Sequence, residues 1–117
     1  MNKKLVLSVI SAIYLILLLL GAFVVKLGTA GENGVGFDKV LHFFGFFILA
    51  VLLLLTFKYY RLSNRFASVF LIALGIGILI ESVQIGIPGR DFELLDILAD
   101  VLGIIFGSVL VWSFSKR

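Results

Sequence analysis

The stretch at residues 40–57, VLHFFGFFILAVLLLLTF, decides the fold, because its sole ionisable side chain is His42. About 20 apolar residues carry a helix across a bilayer. Residues 49–55 are apolar on every side of a helix, whereas a helix of a water-soluble bundle keeps a polar face. The stretch is therefore predicted to be a membrane-spanning helix.

Three further apolar runs, at residues 5–25, 66–80 and 94–114, accompany this helix, and the third run of the chain continues weakly to Ile87. The 117 residues are 62% hydrophobic with a mean hydropathy of +1.22, which excludes a soluble domain. The first run exceeds the 7 to 15 residues typical of a signal-peptide core, so we expect it to be retained as a spanning helix. The sequence predicts an all-α fold, an integral membrane four-helix up-down bundle forming one domain over residues 1–117, with helices at about 5–25, 38–58, 66–86 and 94–114.

Basic residues concentrate at both ends of the chain and in the joint between the second and third runs. They are Lys3, Lys4, Lys58, Arg61, Arg65, Lys116 and Arg117. Because Lys and Arg are enriched on the cytoplasmic side of membranes, both termini are predicted to be cytoplasmic. The net charge of +3 reflects this bias, so no nucleic-acid partner is predicted.

Ionisable residues enter the apolar runs near the predicted outer ends of helices two, three and four. At a rise of about 1.5 Å per residue, His42 and Glu81 lie about 6 Å from the outer boundary and Asp100 about 9 Å. Charges at such depth cost a few kcal/mol, so these side chains should face inward, and we expect His42, Glu81, Arg90 and Asp100 to converge. The predicted ligand-binding residues are Asp38, Lys39, His42, Glu81, Gln84, Arg90, Asp96 and Asp100.

Three sequence blocks carry a resemblance to a known family. They are residues 38–43 (DKVLHF) with Phe46 beyond, residues 81–84 (ESVQ), and residues 88–90 (PGR) followed by Asp96, Asp100, Gly103 and Gly107. In their order and spacing the chain resembles the VanZ-like membrane proteins, a family named for a member associated with teicoplanin resistance. The resemblance implies a multi-pass protein of the bacterial inner (cytoplasmic) membrane with a cell-envelope role and no settled biochemical activity. One departure is Asp100, where we expect many relatives to carry Asn.

The favoured functional hypothesis is a cell-envelope protein whose outward-facing polar pocket binds an amphipathic ligand. Membrane lipids, a lipid-linked envelope precursor or a glycopeptide each combine an apolar body with a polar head, and binding would contribute to glycopeptide resistance. Lys39 and Arg90 would hold anionic groups of such a ligand. Two alternatives remain open: an intramembrane enzyme with Glu81 or His42 as general base, and a small proton-coupled exporter.

Other interpretations of the same residues also stay open. His42, Glu81 and Asp100 fit a structural polar knot that sets helix register. No cofactor or metal is predicted, although His42 with Glu81 and either Asp96 or Asp100 offers N and O ligands to a divalent ion. Gly103 and Gly107 form a small-xxx-small pair, for which packing inside the chain is favoured over a homodimer.

Overall fold

Four helices make up the described chain. The structure, a computed structural model, describes residues 2–29, 35–86 and 93–115, and the side chains of residues 2–21, 39–86 and 93–115. The helices are α1 (Lys3–Thr29), α2 (Val35–Tyr59), α3 (Arg65–Gln84) and α4 (Leu94–Ser115). Each contains a segment long and apolar enough to span a membrane, and no strand occurs in these ranges. The predicted all-α architecture of four membrane-spanning helices is confirmed.

Helices α2 and α4, although not consecutive, form the closest pair. They run parallel, because Lys39 near the start of α2 contacts Asp96 near the start of α4, and Gly103, further along α4, packs against Phe43, further along α2. Consecutive helices are antiparallel. Ser11 of α1 contacts Thr56 near the end of α2, and Glu81 near the end of α3 lies close to His42 near the start of α2 and to the backbone N–H of Glu93, just before α4. The chain thus runs up and down through the bundle, with α4 returning beside α2.

Two glycines of α4 permit the close approach of α2. A Cβ atom at Gly103 would overlap the carbonyl oxygen of Phe43, and one at Gly107 would lie 2.7 Å from the carbonyl oxygen of Phe47. Small residues at such crossings let helix backbones approach closely inside a bilayer. The small-xxx-small pair therefore contacts α2 of the same chain.

The core lies among α2, α3 and α4, where Phe46, Leu54, Val69 and Ile104 are almost fully buried. Helix α1 lies at the side of this core, because Ser11 is the one buried residue among its described side chains. Large apolar side chains cover the outside of the bundle, as expected for a surface that faces lipid tails.

Polar contacts join α1 to α2. The hydroxyl groups of Ser11 and Thr56 lie 2.9 Å apart, and the Thr56 hydroxyl also contacts the carbonyl oxygen of Leu52 at 2.8 Å. Nearer the other end of α1, the Tyr14 hydroxyl donates to the carbonyl oxygen of Gly45 at 2.7 Å. Hydrogen bonds of this kind hold a weakly buried helix against its neighbour.

We expect Thr56→Val to lower the free energy of unfolding by about 1 kcal/mol, because hydrogen bonds between membrane helices contribute about 0.6 kcal/mol on average and at most about 1.7. Reversible unfolding in mixed micelles measures this change. A double-mutant cycle with Ser11→Ala should give a coupling near the average value, and a coupling of zero would contradict the assigned contact.

Candidate functional site

Six ionisable side chains, from α2, the end of α3, α4 and the residue before α4, meet at one end of the bundle. Glu81, Asp96 and Asp100 are fully buried there, at 0% exposure. Such burial inside a membrane-spanning segment requires polar partners, because an isolated charge is costly in that environment. We call this group the polar cluster; its members are Lys39, His42, Glu81, Glu93, Asp96 and Asp100.

His42 lies at the centre of the polar cluster. Its Nδ1 atom is 2.7 Å from Asp100 Oδ1, and its Nε2 atom is 3.5 Å from Asp96 Oδ2 and 3.9 Å from Glu81 Oε1. With Asp100 ionised, its carboxylate can only accept a hydrogen bond, and the Nδ1–H group of His42 is then the donor. This hydrogen bond orients the ring and directs Nε2 toward the other two carboxylates.

The second carboxylate oxygens of Glu81 and Asp96, which are farther from His42, accept hydrogen bonds. Lys39 Nζ donates to Asp96 Oδ1 at 2.5 Å and to Glu93 Oε2 at 2.6 Å, and so bridges the two acids. The backbone N–H of Glu93 donates to Glu81 Oε2 at 3.2 Å. The start of α4 therefore anchors the carboxylate at the end of α3.

The predicted site residues divide into three groups. His42, Glu81 and Asp100 converge as expected, and Lys39 and Asp96 join them. Gln84 is buried on α3, three residues after Glu81. Arg90 and the side chain of Asp38 lie outside the described residues. Binding of a ligand by these residues stays a prediction.

Sequence reasoning missed two contributors to the polar cluster. Glu93 precedes the fourth predicted helix, and both its side chain and its backbone N–H contact the cluster. Gly77 makes room for Asp100, since a Cβ atom there would lie 2.6 Å from Asp100 Oδ2. Gly77 precedes Glu81 by four residues and shares its helix face, which is the signal that would have identified it.

An apolar cavity of about 270 Å³ adjoins the polar cluster. It lies between α1 and α2, and its walls include Tyr14, Gly21 and His42. Leu17 and Phe44, which are 60% and 56% exposed, form part of the lining and place the cavity at the lipid-facing surface. The sequence of α1 is mostly apolar, and this pattern did not predict the cavity.

The model of the VanZ/LLP1 family matches residues 4–115 of the chain, which include almost all of the four helices. The chain belongs to the VanZ/LLP1 family. This match extends the resemblance, which rested on helices two to four, to α1 as well. The VanZ/LLP1 assignment and the four apolar helices together establish a multi-pass membrane protein.

A relative of this VanZ/LLP1 chain occurs in fission yeast, Schizosaccharomyces pombe. This uncharacterized protein is 34% identical over 109 residues, which cover 91% of the present chain and 64% of the yeast protein. The chain therefore spans slightly less than two thirds of that relative. No solved structure matches the chain. Because a similar protein occurs in a yeast, VanZ/LLP1 membership alone does not assign a bacterial inner membrane.

Proposed function

We propose that this protein binds an amphipathic lipid, with the headgroup at the polar cluster and a hydrocarbon chain in the cavity between α1 and α2. The observation that carries the proposal is the position of His42, which lines the apolar cavity and also hydrogen-bonds inside the polar cluster. A ligand that touches both surfaces needs an apolar body joined to a polar head.

The cavity suits one hydrocarbon chain. Its volume of about 270 Å³ falls slightly below the range of about 300 to 1,000 Å³ that is usual for small-molecule pockets. A loosely packed α1 favours entry from the lipid phase, since few of its side chains would have to leave a packed core. The headgroup of a lipid that enters sideways then reaches His42.

The polar cluster suits a headgroup that carries both donors and an anionic group. Lys39 is 21% exposed at its side chain and supplies a cation at the rim, while the carboxylates accept hydrogen bonds from amines or sugar hydroxyls. Ethanolamine phospholipids and glycosylated lipid precursors of the envelope both have this chemistry. Arg90, by its position in the sequence, would add a second cation for phosphate.

The predicted orientation of the chain in the membrane decides which lipids the polar cluster would meet. With both termini cytoplasmic, the polar cluster lies at the outer face, where envelope lipids and lipid-linked precursors are present. In a bacterium, binding of such a lipid would alter the envelope that teicoplanin acts on, which gives a contribution to glycopeptide resistance. The yeast relative favours a ligand available in both kinds of membrane over the glycopeptide itself.

Filling the cavity should abolish lipid binding without touching the polar cluster. Gly21 lines the cavity, and a Cβ atom there would meet nothing within 4 Å, so Gly21→Leu places its side chain in free space. We expect this variant to lose at least about 90% of the co-purified lipid seen by native mass spectrometry, because the leucine side chain occupies the space that the hydrocarbon chain of the lipid would fill.

Gly75→Leu is the matched control, because Gly75 also has open space at its Cβ position but does not line the cavity. It should retain the lipid. The mass of the retained species distinguishes a phospholipid, a lipid-linked precursor and a glycopeptide. Equal lipid occupancy in both leucine variants, or an empty parent protein, would contradict the proposal.

The pairing of His42 with Asp100 favours a second candidate, an intramembrane enzyme that acts on the bound lipid. A carboxylate on Nδ1 is the arrangement that orients a histidine general base, and Nε2 is then the atom that accepts a proton. Incubation with the lipid identified by native mass spectrometry, followed by mass analysis of extracts from parent and His42→Gln protein, tests this candidate. A product formed by the parent alone would support catalysis, and unchanged lipid would leave binding as the function.

A further inference from the structure

One atom from each of three buried side chains faces a common point in the polar cluster. The side chains are His42 of α2, Glu81 of α3 and Asp96 of α4, and their nearest ligand atoms all lie within 4.8 Å of one another. Three different helices supply them, so the arrangement depends on the tertiary fold and not on a local sequence motif. An imidazole with two carboxylates is a donor set that suits divalent transition metals.

The two separations that involve His42 Nε2 fit ligands of one ion. Metal–ligand bonds of about 2.0 to 2.2 Å in tetrahedral geometry place two ligand atoms about 3.4 Å apart. His42 Nε2 lies 3.5 Å from Asp96 Oδ2 and 3.9 Å from Glu81 Oε1. Both distances exceed the 2.7 to 2.9 Å that is typical of a charge-assisted hydrogen bond between an imidazolium and a carboxylate.

Each of the three side chains is held through its other polar atom. Asp100 accepts from His42 Nδ1, the backbone N–H of Glu93 donates to Glu81 Oε2, and Lys39 donates to Asp96 Oδ1. A carboxylate on the distal nitrogen of a histidine is the usual outer-shell partner of a metal ligand, because it fixes the tautomer and raises basicity. The three inward atoms, Nε2, Oε1 and Oδ2, are thereby oriented toward one another.

We propose that His42, Glu81 and Asp96 bind one divalent transition-metal ion, of which Zn²⁺ and Mn²⁺ are the representative cases. A bound dication would interact favourably with the two ligand carboxylates, Glu81 and Asp96, which are both fully buried. Three protein ligands leave a coordination position for a further oxygen ligand. Metal binding would share His42 and the polar cluster with the proposed lipid site but needs no bound lipid, so the two proposals can fail separately.

The test uses the full chain in detergent, stripped with a chelator and titrated with Zn²⁺ and with Co²⁺. Calorimetry should give one Zn²⁺ per chain. Co²⁺ bound by one nitrogen and two carboxylate oxygens should show visible d–d absorption that Zn²⁺ displaces. Absence of stoichiometric binding by the folded parent protein would overturn the proposal without any variant.

Variants then assign the ligands. Glu81→Gln and Asp96→Asn should each abolish stoichiometric Zn²⁺ binding, whereas Asp100→Asn, which removes an outer-shell carboxylate, should weaken it about 10- to 100-fold and leave one ion per chain. Glu93→Gln is the matched control, because it removes a neighbouring carboxylate that is 39% exposed and outside the ligand set. Circular dichroism checks that each variant is folded. Equal affinity across all four variants would place the ion elsewhere and refute the assignment.

Discussion

Gly103→Ala is expected to lower the free energy of unfolding by about 2 to 3 kcal/mol, the upper part of the range for overpacking a tight interface. The added methyl group would meet the carbonyl oxygen of Phe43 and lie 3.0 Å from the backbone nitrogen of Phe47. Backbone atoms cannot rotate away as a side chain can, so α4 must move off α2. Because α2 and α4 form the closest helix pair, this shift disturbs the centre of the bundle.

Gly75→Ala provides the control for this experiment. A Cβ atom at Gly75 meets nothing within 4 Å, so the same chemical change should be neutral or slightly stabilising through the higher helix propensity of alanine. Both variants are compared by reversible unfolding in mixed micelles. Similar free energies of unfolding for the two variants would show that α2 and α4 do not approach through Gly103.

Lys39→Met should cost about 3 kcal/mol of unfolding free energy, because it removes the cation that bridges Asp96 and Glu93. Removing one partner of a buried ion pair leaves the other charge uncompensated, and such changes typically cost 3 to 5 kcal/mol. Asp96 is fully buried, while Lys39 keeps partial contact with the exterior, so the lower end of that range applies.

A second substitution separates this charge effect from loss of packing. Asp96→Asn in the Lys39→Met background should restore part of the lost stability, since the buried charge is removed together with its partner. Glu93→Gln should cost less than about 1 kcal/mol, because its carboxylate is more exposed and surface pairs contribute little. A Lys39→Met variant as stable as the parent would refute the bridge.

Much of the fold followed from the sequence because the bilayer restricts the possibilities. Runs of nearly 20 apolar residues have one common structure in a membrane, and short joints make consecutive helices antiparallel. The close packing of α4 against α2 could not be predicted from the sequence, because several arrangements of four helices are compatible with the same connecting segments. Gly103 and Gly107 identified a close helix crossing but not its partner.

The polar cluster was predictable for a related reason. Depth along each helix and spacing on one face brought His42, Glu81 and Asp100 to the same level, and lipid cannot accommodate them. The atomic arrangement was not predictable. Asp96 and Asp100 share a helix face, and nothing in the sequence shows that Asp100 orients the imidazole while Asp96 faces its other nitrogen. The cavity beside α1 could not be predicted, because the sequence does not distinguish apolar side chains that face lipid from those that face protein.

The imidazole of His42 offers the most direct test of the central claim that this residue sits inside a buried cluster of carboxylates from α4 and α3. His42 is the only histidine in the chain, so nitrogen NMR of histidine-labelled protein in bilayers reports on this ring alone. We predict a protonated Nδ1 in a strong hydrogen bond, with signals that shift in Asp100→Asn and Glu81→Gln protein and stay unchanged in Gly75→Ala. Signals typical of a hydrated imidazole, unchanged in both carboxylate variants, would contradict the placement of His42 in the polar cluster.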